Sequence, residues 1–252
     1  MQAYDVIVIG AGPAGIFTAL ELDKLMPQMR VLVVDSGSTI DNRSCPARTS
    51  SHCAHCKTCH IMNGWAGAGA FSDGKLSLSE EVGGNVTDYL PVQEVRDLIR
   101  YADDIYLKFG APDKVFGKSD KFAEQVSYEA HKHNIKLIPC PVRHMGTEYS
   151  FEVLREMYRY LSSRENFEFR EYTKADTIEI ENARAAGVWL IGRDGERRLE
   201  KARYIVAAPG RRGMAHLHRP GKQPANHQQR RGYRRTGGSA QCRDGPPDQK
   251  PV

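Results

Sequence analysis

The sequence predicts an α/β fold built on a mostly parallel sheet in three layers, and three observations carry that prediction. A nearly continuous apolar strand, Tyr4-Asp-Val-Ile-Val-Ile9, runs directly into Gly10-Ala-Gly-Pro-Ala-Gly15. A helix-length segment then leads to a second apolar strand, Val31-Leu-Val-Val-Asp35, closing a βαβ unit. Late in the chain a third such strand, residues 204–208, ends at Pro209-Gly210. Unbroken β-branched runs of this kind belong to strands covered on both faces, as in parallel sheets.

The remaining elements follow in order. Ile16, Ala19, Leu20 and Leu22 give the first helix an apolar face, and Gly37 breaks the chain after the second strand. Residues 42–73 are polar, rich in cysteine and glycine, and read as a long functional loop in which Trp65 and Phe71 supply packing. From Val92 apolar residues recur at helical spacing through Val95, Leu98, Ile99, Ala102, Ile105, Tyr106 and Phe109, with Gly110 and Pro112 as the stop. A second helix is expected over residues 120–133 and a short strand over 136–139. A third helix is expected to start from a Thr147 cap and run through Phe151, Leu154, Met157, Tyr158 and Leu161. Strands are expected at 167–172, 177–181, 188–191 and 204–208.

Composition narrows the function classes. With 252 residues, 40% hydrophobic and 27% charged, the chain has the balance of a soluble globular protein. It has no apolar run of the roughly 18 residues that a membrane span needs, and no basic leader precedes the first strand, so a cytoplasmic location is expected. The net charge of +5 is uneven: after Gly210, eight Arg and two Lys face only Asp244 and Asp248, a balance of +8 that leaves −3 for the rest. That basic stretch holds one aromatic residue, Tyr233, and no recognisable module, which argues against nucleic-acid binding. Beyond Gly213 the branched aliphatics are reduced to Leu217 and Val252. Residues 214–252 are therefore expected to be a disordered tail outside the fold, as an unrelated reading frame would produce.

The glycine motif has a defined chemistry. Gly10 permits a tight turn, Gly12 lets the backbone approach a pyrophosphate, and Gly15 lets helix and strand pack closely. The helix N-terminus offers free N–H groups and the positive end of its dipole to phosphates. Asp35, twenty residues after Gly15, is placed to accept hydrogen bonds from an adenosine ribose.

Three blocks together resemble the FAD-dependent dehydrogenase and oxidoreductase superfamily: residues 5–15, the run Gly64-Trp-Ala-Gly-Ala-Gly-Ala-Phe-Ser-Asp-Gly-Lys-Leu76, and Tyr204-Ile-Val-Ala-Ala-Pro-Gly-Arg211. Cys45-Pro46, the later cysteines and Arg143-His-Met-Gly-Thr147 look like its bacterial FAD-dependent dehydrogenases. The resemblance covers residues 1 to about 213 and implies a Rossmann-type FAD-binding domain assembled from residues 1–80 and 174–213. Residues 81–173 would be an inserted α+β substrate region, and 214–252 the tail. Related flavoproteins continue past this strand to a Gly-Asp pair, whereas Asp244-Gly245 has the reverse order, as in a truncated or frameshifted chain. The cofactor contacts implied are Gly10, Gly12, Pro13, Ala14, Gly15, Asp35, Ser36, Gly67, Gly69, Ala70, Ser72, Asp73, Pro209 and Gly210. The small residues at 66–70 would let backbone amides lie against a flat ring or a phosphate.

Cys45, Cys53, Cys56 and Cys59, with His52, His55 and His60 among them, allow several readings. Cys-x2-Cys-x2-Cys is an iron–sulfur spacing whose fourth ligand would have to be the upstream Cys45. Zinc could take four of these ligands, although neither usual pairing is complete. Cys53 and Cys56 have the spacing of a redox-active pair, and reduced, partly buried thiols without a role are the fourth possibility. Catalytic candidates are His144 as a general acid or, with Arg143, an anion clamp, and Lys75 beside Asp73.

The function expected is FAD-dependent oxidation or reduction of a small molecule, with hydride transfer to or from the flavin. Its partners would be that substrate and an electron carrier, NAD(P)H or another. An inactive fragment and an electron-transfer module built on the cysteines are the rival readings.

Overall fold

The computed structural model describes residues 4–50, 52–118 and 121–210. The expected tail, residues 214–252, lies outside the described residues.

Strand β1 (Tyr4–Ile9) leads through the glycine turn to helix α1 (Pro13–Leu25), and β2 (Val31–Val34) follows. Pro13 suits the first helical position, where its missing N–H costs nothing. The long loop holds a short helix, α2 (Ala47–Ser50), and a 3-10 turn over Gly67–Phe71. Next come β3 (Lys75–Ser77), α3 (Val92–Lys108), β4 (Val115–Phe116), α4 (Lys121–Lys132), β5 (Val142–His144) and α5 (Gly146–Ser162). The chain then forms β6 (Phe167–Arg170), β7 (Lys174–Glu181), β8 (Arg184–Ile191) and β9 (Arg197–Ala207).

Among the described residues, six strands form the main sheet in the order β6-β2-β1-β9-β8-β7. The β6-β2-β1-β9 half is parallel, while β7, β8 and the first part of β9 form an antiparallel meander. Strand β9 serves both halves: Arg197 to Lys201 pair with β8, and Ala202 to Ala207 pair with β1. Asn182 and Ala183, both at positive φ, make the tight β7–β8 turn whose twist suits a hairpin. A second sheet, β3-β5-β4, is antiparallel and small.

Alternation along the parallel strands divides the core. Val6, Val8, Val31 and Val33 face one cluster with Ile16, Ala19 and Leu20 of α1 and Val153, Leu154, Met157 and Leu161 of α5. Ile7, Ile9, Leu32 and Val34 face the other, with Val188 and Leu190 of the meander. The sheet is thus covered on both sides, as its unbroken apolar strands require.

The structure departs from the expected order in three places. Strand β6 and helix α5 lie within the segment expected to form an inserted region, yet β6 pairs with β2 and α5 packs on the main sheet, so both belong with β1, α1 and β2. Residues 136–139 form no strand; β5 follows instead, where it finds β3 and β4 as partners. Helix α3 buries only part of its apolar stripe: Val95 and Ile105 are buried, while Val92 and Leu98 are exposed. Periodicity marks a helix and one face of it, but what covers that face is decided elsewhere in the chain.

Candidate functional site

The β1–α1 turn uses each glycine differently. Gly10 has φ +101°, and a Cβ there would lie 2.4 Å from the carbonyl oxygen of Ala208, so β9 can approach β1 only because the side chain is missing. A Cβ on Gly15 would lie 1.9 Å from the Gly10 oxygen, which makes this glycine the condition for α1 to pack on the turn. At Gly12 a Cβ would meet nothing within 4 Å. The space above Gly12 is open. Pro13 and Ala14 are exposed beside it, and helix geometry leaves the N–H groups of Ala14 and Gly15 without intrahelical acceptors. Pro209 closes against Gly10, and Gly210 is exposed with φ +66°.

Asp35 ends β2 where the sequence places it, but its carboxylate is already occupied. Oδ2 accepts the Ala11 N–H at 2.9 Å, and Oδ1 accepts those of Gly37 at 2.8 Å and Gly64 at 2.7 Å. The carboxylate therefore ties the turn, the end of β2 and the glycine-rich loop together, with one acceptor position left on Oδ2. The glycine-rich loop is laced down further by Ala66 N–H to Ala11 O (2.7 Å) and Trp65 N–H to Ser38 O (3.0 Å). Gly67 comes so close that its Cβ would stand 3.4 Å from the Gly12 Cα. Gly69 is open like Gly12, Ala70 is buried, and Ser72 and Asp73 are exposed. Ser36 donates to Asn63 Oδ1 at 3.2 Å.

Two residues hold this loop, and the sequence reading misses one of them, Arg43. Arg43 is buried and donates to four backbone carbonyls: His60 (3.1 and 2.9 Å), Ile61 (2.7 Å), Trp65 (2.5 Å) and Gly67 (2.6 Å). Burial pushes its guanidinium down to about 10, against the opposing influence of Asp35 and Cys59. Trp65 donates its indole N–H to Leu154 O of α5 at 2.8 Å and packs edge-on against Tyr158 and Phe169. Trp65 had been expected to pack; Arg43 carried no local signal, because its acceptors lie 17 to 24 positions away.

The catalytic candidates separate. Strand β5 alternates, so Arg143 and His144 point to opposite faces. Arg143 is buried, with its fork on Asp103 (2.5 and 2.7 Å) and a further bond to Pro112 O. It is therefore not an open anion clamp: its donors are spent on joining β5 to α3. His144 is exposed, opposite Lys75 in the β3–β5 register. Lys75 pairs with Asp73 at 2.9 Å, both side chains exposed, and this hydrogen bond chiefly holds the Asp73 carboxyl below its ordinary range. Asp73, Lys75 and His144 thus share one surface at the end of the glycine-rich loop.

The cysteines assemble no metal-holding group among the described residues. Cys45, Cys53, Cys56 and Cys59 are free thiols, with Cys53 and Cys56 exposed. Among the described residues no group of three or more His, Cys, Asp or Glu could hold a metal ion, so neither the zinc nor the iron–sulfur expectation is met by the geometry. No helix among these residues is long and apolar enough to cross a membrane.

This architecture, a parallel sheet with an open glycine turn at the carboxyl end of β1, matches a known family model over residues 3–230, that of the FAD binding domain. The chain belongs to the FAD binding domain family. The match runs beyond residue 213, where the resemblance read from the sequence stops. No curated protein sequence matches. Among solved structures, E. coli quinol fumarate reductase FrdA is 12% identical with a TM-score of 0.50, over 82% of this chain and 33% of that one. Sdh1 of Mycobacterium smegmatis, in complex with UQ1, is 16% identical with a TM-score of 0.50, over 81% and 33%. The 3-ketosteroid-Δ4-(5α)-dehydrogenase of Rhodococcus jostii RHA1 is 14% identical with a TM-score of 0.48, over 82% and 46%. The chain thus spans less than half the length of these proteins, and the likeness is one of fold.

FAD is the cofactor of this family, and the chain has room for it. The open backbone at Gly12 and Gly69 can admit a phosphate or a flat ring at close range. A narrow cleft beside the end of β2, about 20 Å³ and wide enough for little more than one water molecule, is lined by Ala11, Asp35, Ser38, Thr39, Trp65 and Tyr158 among others. On its wall the buried Ser38 Oγ has no hydrogen-bond partner among the described residues, a state that a water-sized polar group would relieve.

Proposed function

We propose that this chain is the FAD-binding part of an FAD-dependent oxidoreductase acting on a small molecule. The observation that carries the reading is the pairing of the open Gly12 turn with the glycine-rich loop clamped against it. The pyrophosphate would lie over Gly12, Pro13 and Ala14 at the start of α1, where free N–H groups and the helix dipole favour negative charge. The adenosine side would lie across the mouth of the cleft at Asp35 and Ser38, using the remaining acceptor of Asp35. Ser36, engaged with Asn63, would sit beside them. Gly67, Gly69, Ala70 and Ser72 would border the flavin half, with Pro209 and Gly210 on the β9 side. When bound, the flavin supplies hydride acceptance or donation, and the protein binds, orients and excludes water.

The cluster Asp73, Lys75 and His144 is the one of the sequence candidates left facing solvent at that end, and we assign it to substrate. Lys75 offers charge to an anionic group, and His144 is placed to hold or move a proton. An electron carrier such as NAD(P)H would complete the reaction. The test is a titration of the purified chain with FAD and, separately, NAD, followed by flavin fluorescence and by competition. FAD is expected to bind and NAD to compete weakly; a chain that binds adenine dinucleotides only as NAD would overturn the assignment.

A further inference from the structure

The segment between Arg43 and His60 is a closed excursion with a fixed neck. Arg43 at one end grips the carbonyls of His60 and Ile61 at the other, and the same guanidinium grips Trp65 and Gly67 of the glycine-rich loop. A turn after Cys59 completes the neck, with the Cys59 carbonyl accepting Met62 N–H (3.2 Å), Asn63 N–H (3.0 Å) and Asn63 Nδ2 (2.9 Å). Phe71, at the far end of the 3-10 turn, lies between two cations of this excursion: Arg43 at 4.7 Å and Arg48 of α2 at 4.8 Å. Whatever reshapes the excursion therefore acts on the glycine-rich loop through Arg43 and Arg48. Out on it stand two exposed free thiols, Cys53 and Cys56, separated by Ala54 and by His55, whose backbone is left-handed with φ 47°. No turn or bend lies between Cys53 and Cys56, so closing a ring between them must bend this stretch and reshape the excursion.

We propose that Cys53 and Cys56 form a dithiol–disulfide pair that exchanges two electrons with a low-molecular-weight thiol–disulfide couple, and that its state is felt at the glycine-rich loop. The role at the flavin rests on the function proposed above. One thiolate attacks a sulfur of the external disulfide, whose S–S bond breaks to release one thiol; the second cysteine then attacks the mixed disulfide and releases the other. The pair loses two protons and two electrons, and the external disulfide is reduced to two thiols.

The test equilibrates the purified chain with mixtures of reduced and oxidised glutathione, blocks the remaining thiols by alkylation and maps the peptides. A Cys53–Cys56 link is expected to grow with the oxidised fraction, in wild type and in Cys140→Ser, and to be lost in Cys53→Ser and Cys56→Ser. Amide hydrogen exchange over residues 64–71 is expected to differ at least threefold between the two states of wild type, and not at all in Cys56→Ser. Thiols that stay free throughout, glutathione adducts without the link, or a link that leaves exchange at 64–71 unchanged would each overturn the proposal. FAD titration in both states reads the flavin assignment separately: no binding in either state counts against the proposed function, while the mapping and exchange still decide the pair.

Discussion

Gly12 and Gly15 stand three residues apart and should respond to substitution in opposite ways. Gly12 has φ −75°, which any residue adopts, and a Cβ there meets open space. Gly12→Val is expected to leave urea-unfolding stability within about 0.5 kcal/mol of wild type while lowering FAD affinity at least a hundredfold, since the side chain fills the pyrophosphate path. Gly15→Ala should do the reverse in order of cause: its Cβ collides with the Gly10 carbonyl, so stability falls by roughly 3 kcal/mol and cofactor binding is lost with the packing. Arg43 gives a third case. Arg43→Lys keeps a positive charge but not the fork that reaches four carbonyls, and a loss of about 2–3 kcal/mol is expected in the same unfolding experiment. The glycines were legible in the sequence because their constraint is local: strand, turn and helix are contiguous. Arg43 was not, because nothing near it in sequence announces carbonyls 17 to 24 residues downstream.

Between elements, two polar groupings join what the apolar core leaves open. Tyr4 of β1 donates to Glu168 of β6 at 2.5 Å, and Arg170 reaches Glu168, Tyr4 and Glu200 of β9. Burial, then the bond to Glu168, pushes the Tyr4 hydroxyl up to about 12. Its contribution to stability is present below the unfolded value near 10 and is lost as pH rises through about 12. Glu168 is shifted down: burial works the other way and is outweighed by the hydrogen bonds from Tyr4 and Arg170. Its contribution is present above the unfolded value of 4.5 and is lost as pH falls through the lower folded one. A urea midpoint measured against pH should therefore decline at both ends, and Tyr4→Phe should flatten the alkaline decline. The Arg143–Asp103 pair makes the second joint, between β5 and α3. Arg143→Ala is expected to cost roughly 3–5 kcal/mol by stranding the Asp103 carboxylate, and Asp103→Asn with Arg143→Met should recover much of it. Recovery of cofactor binding in that double variant would be consistent with a role in joining elements.

At the scale of the whole molecule the cofactor should act as a stabilising ligand. Binding to the folded chain alone raises stability by about 2.7 kcal/mol at a hundredfold excess over Kd. A rise in Tm on adding FAD is thus expected for wild type and absent for Gly12→Val, and differential scanning calorimetry checks it. Equal shifts in both would place the flavin away from the glycine turn.

The sequence by itself determined the βαβ unit, the glycine turn and the late strand, because each rests on contiguous residues whose pattern is local, while the FAD reading came from the resemblance of three separated blocks to a flavoprotein superfamily. It also determined the four longer helices, through their apolar period, but not the short α2, which lies in the segment read as a loop. Tertiary structure decided the rest. Placing β6 beside β2, turning Arg143 inward onto Asp103 and spending Asp35 on three backbone amides all depend on partners distant in the chain. Spacing shows which residues could meet; only the packing of sheet, loop and helix, by fixing distance and desolvation together, settles which of them do.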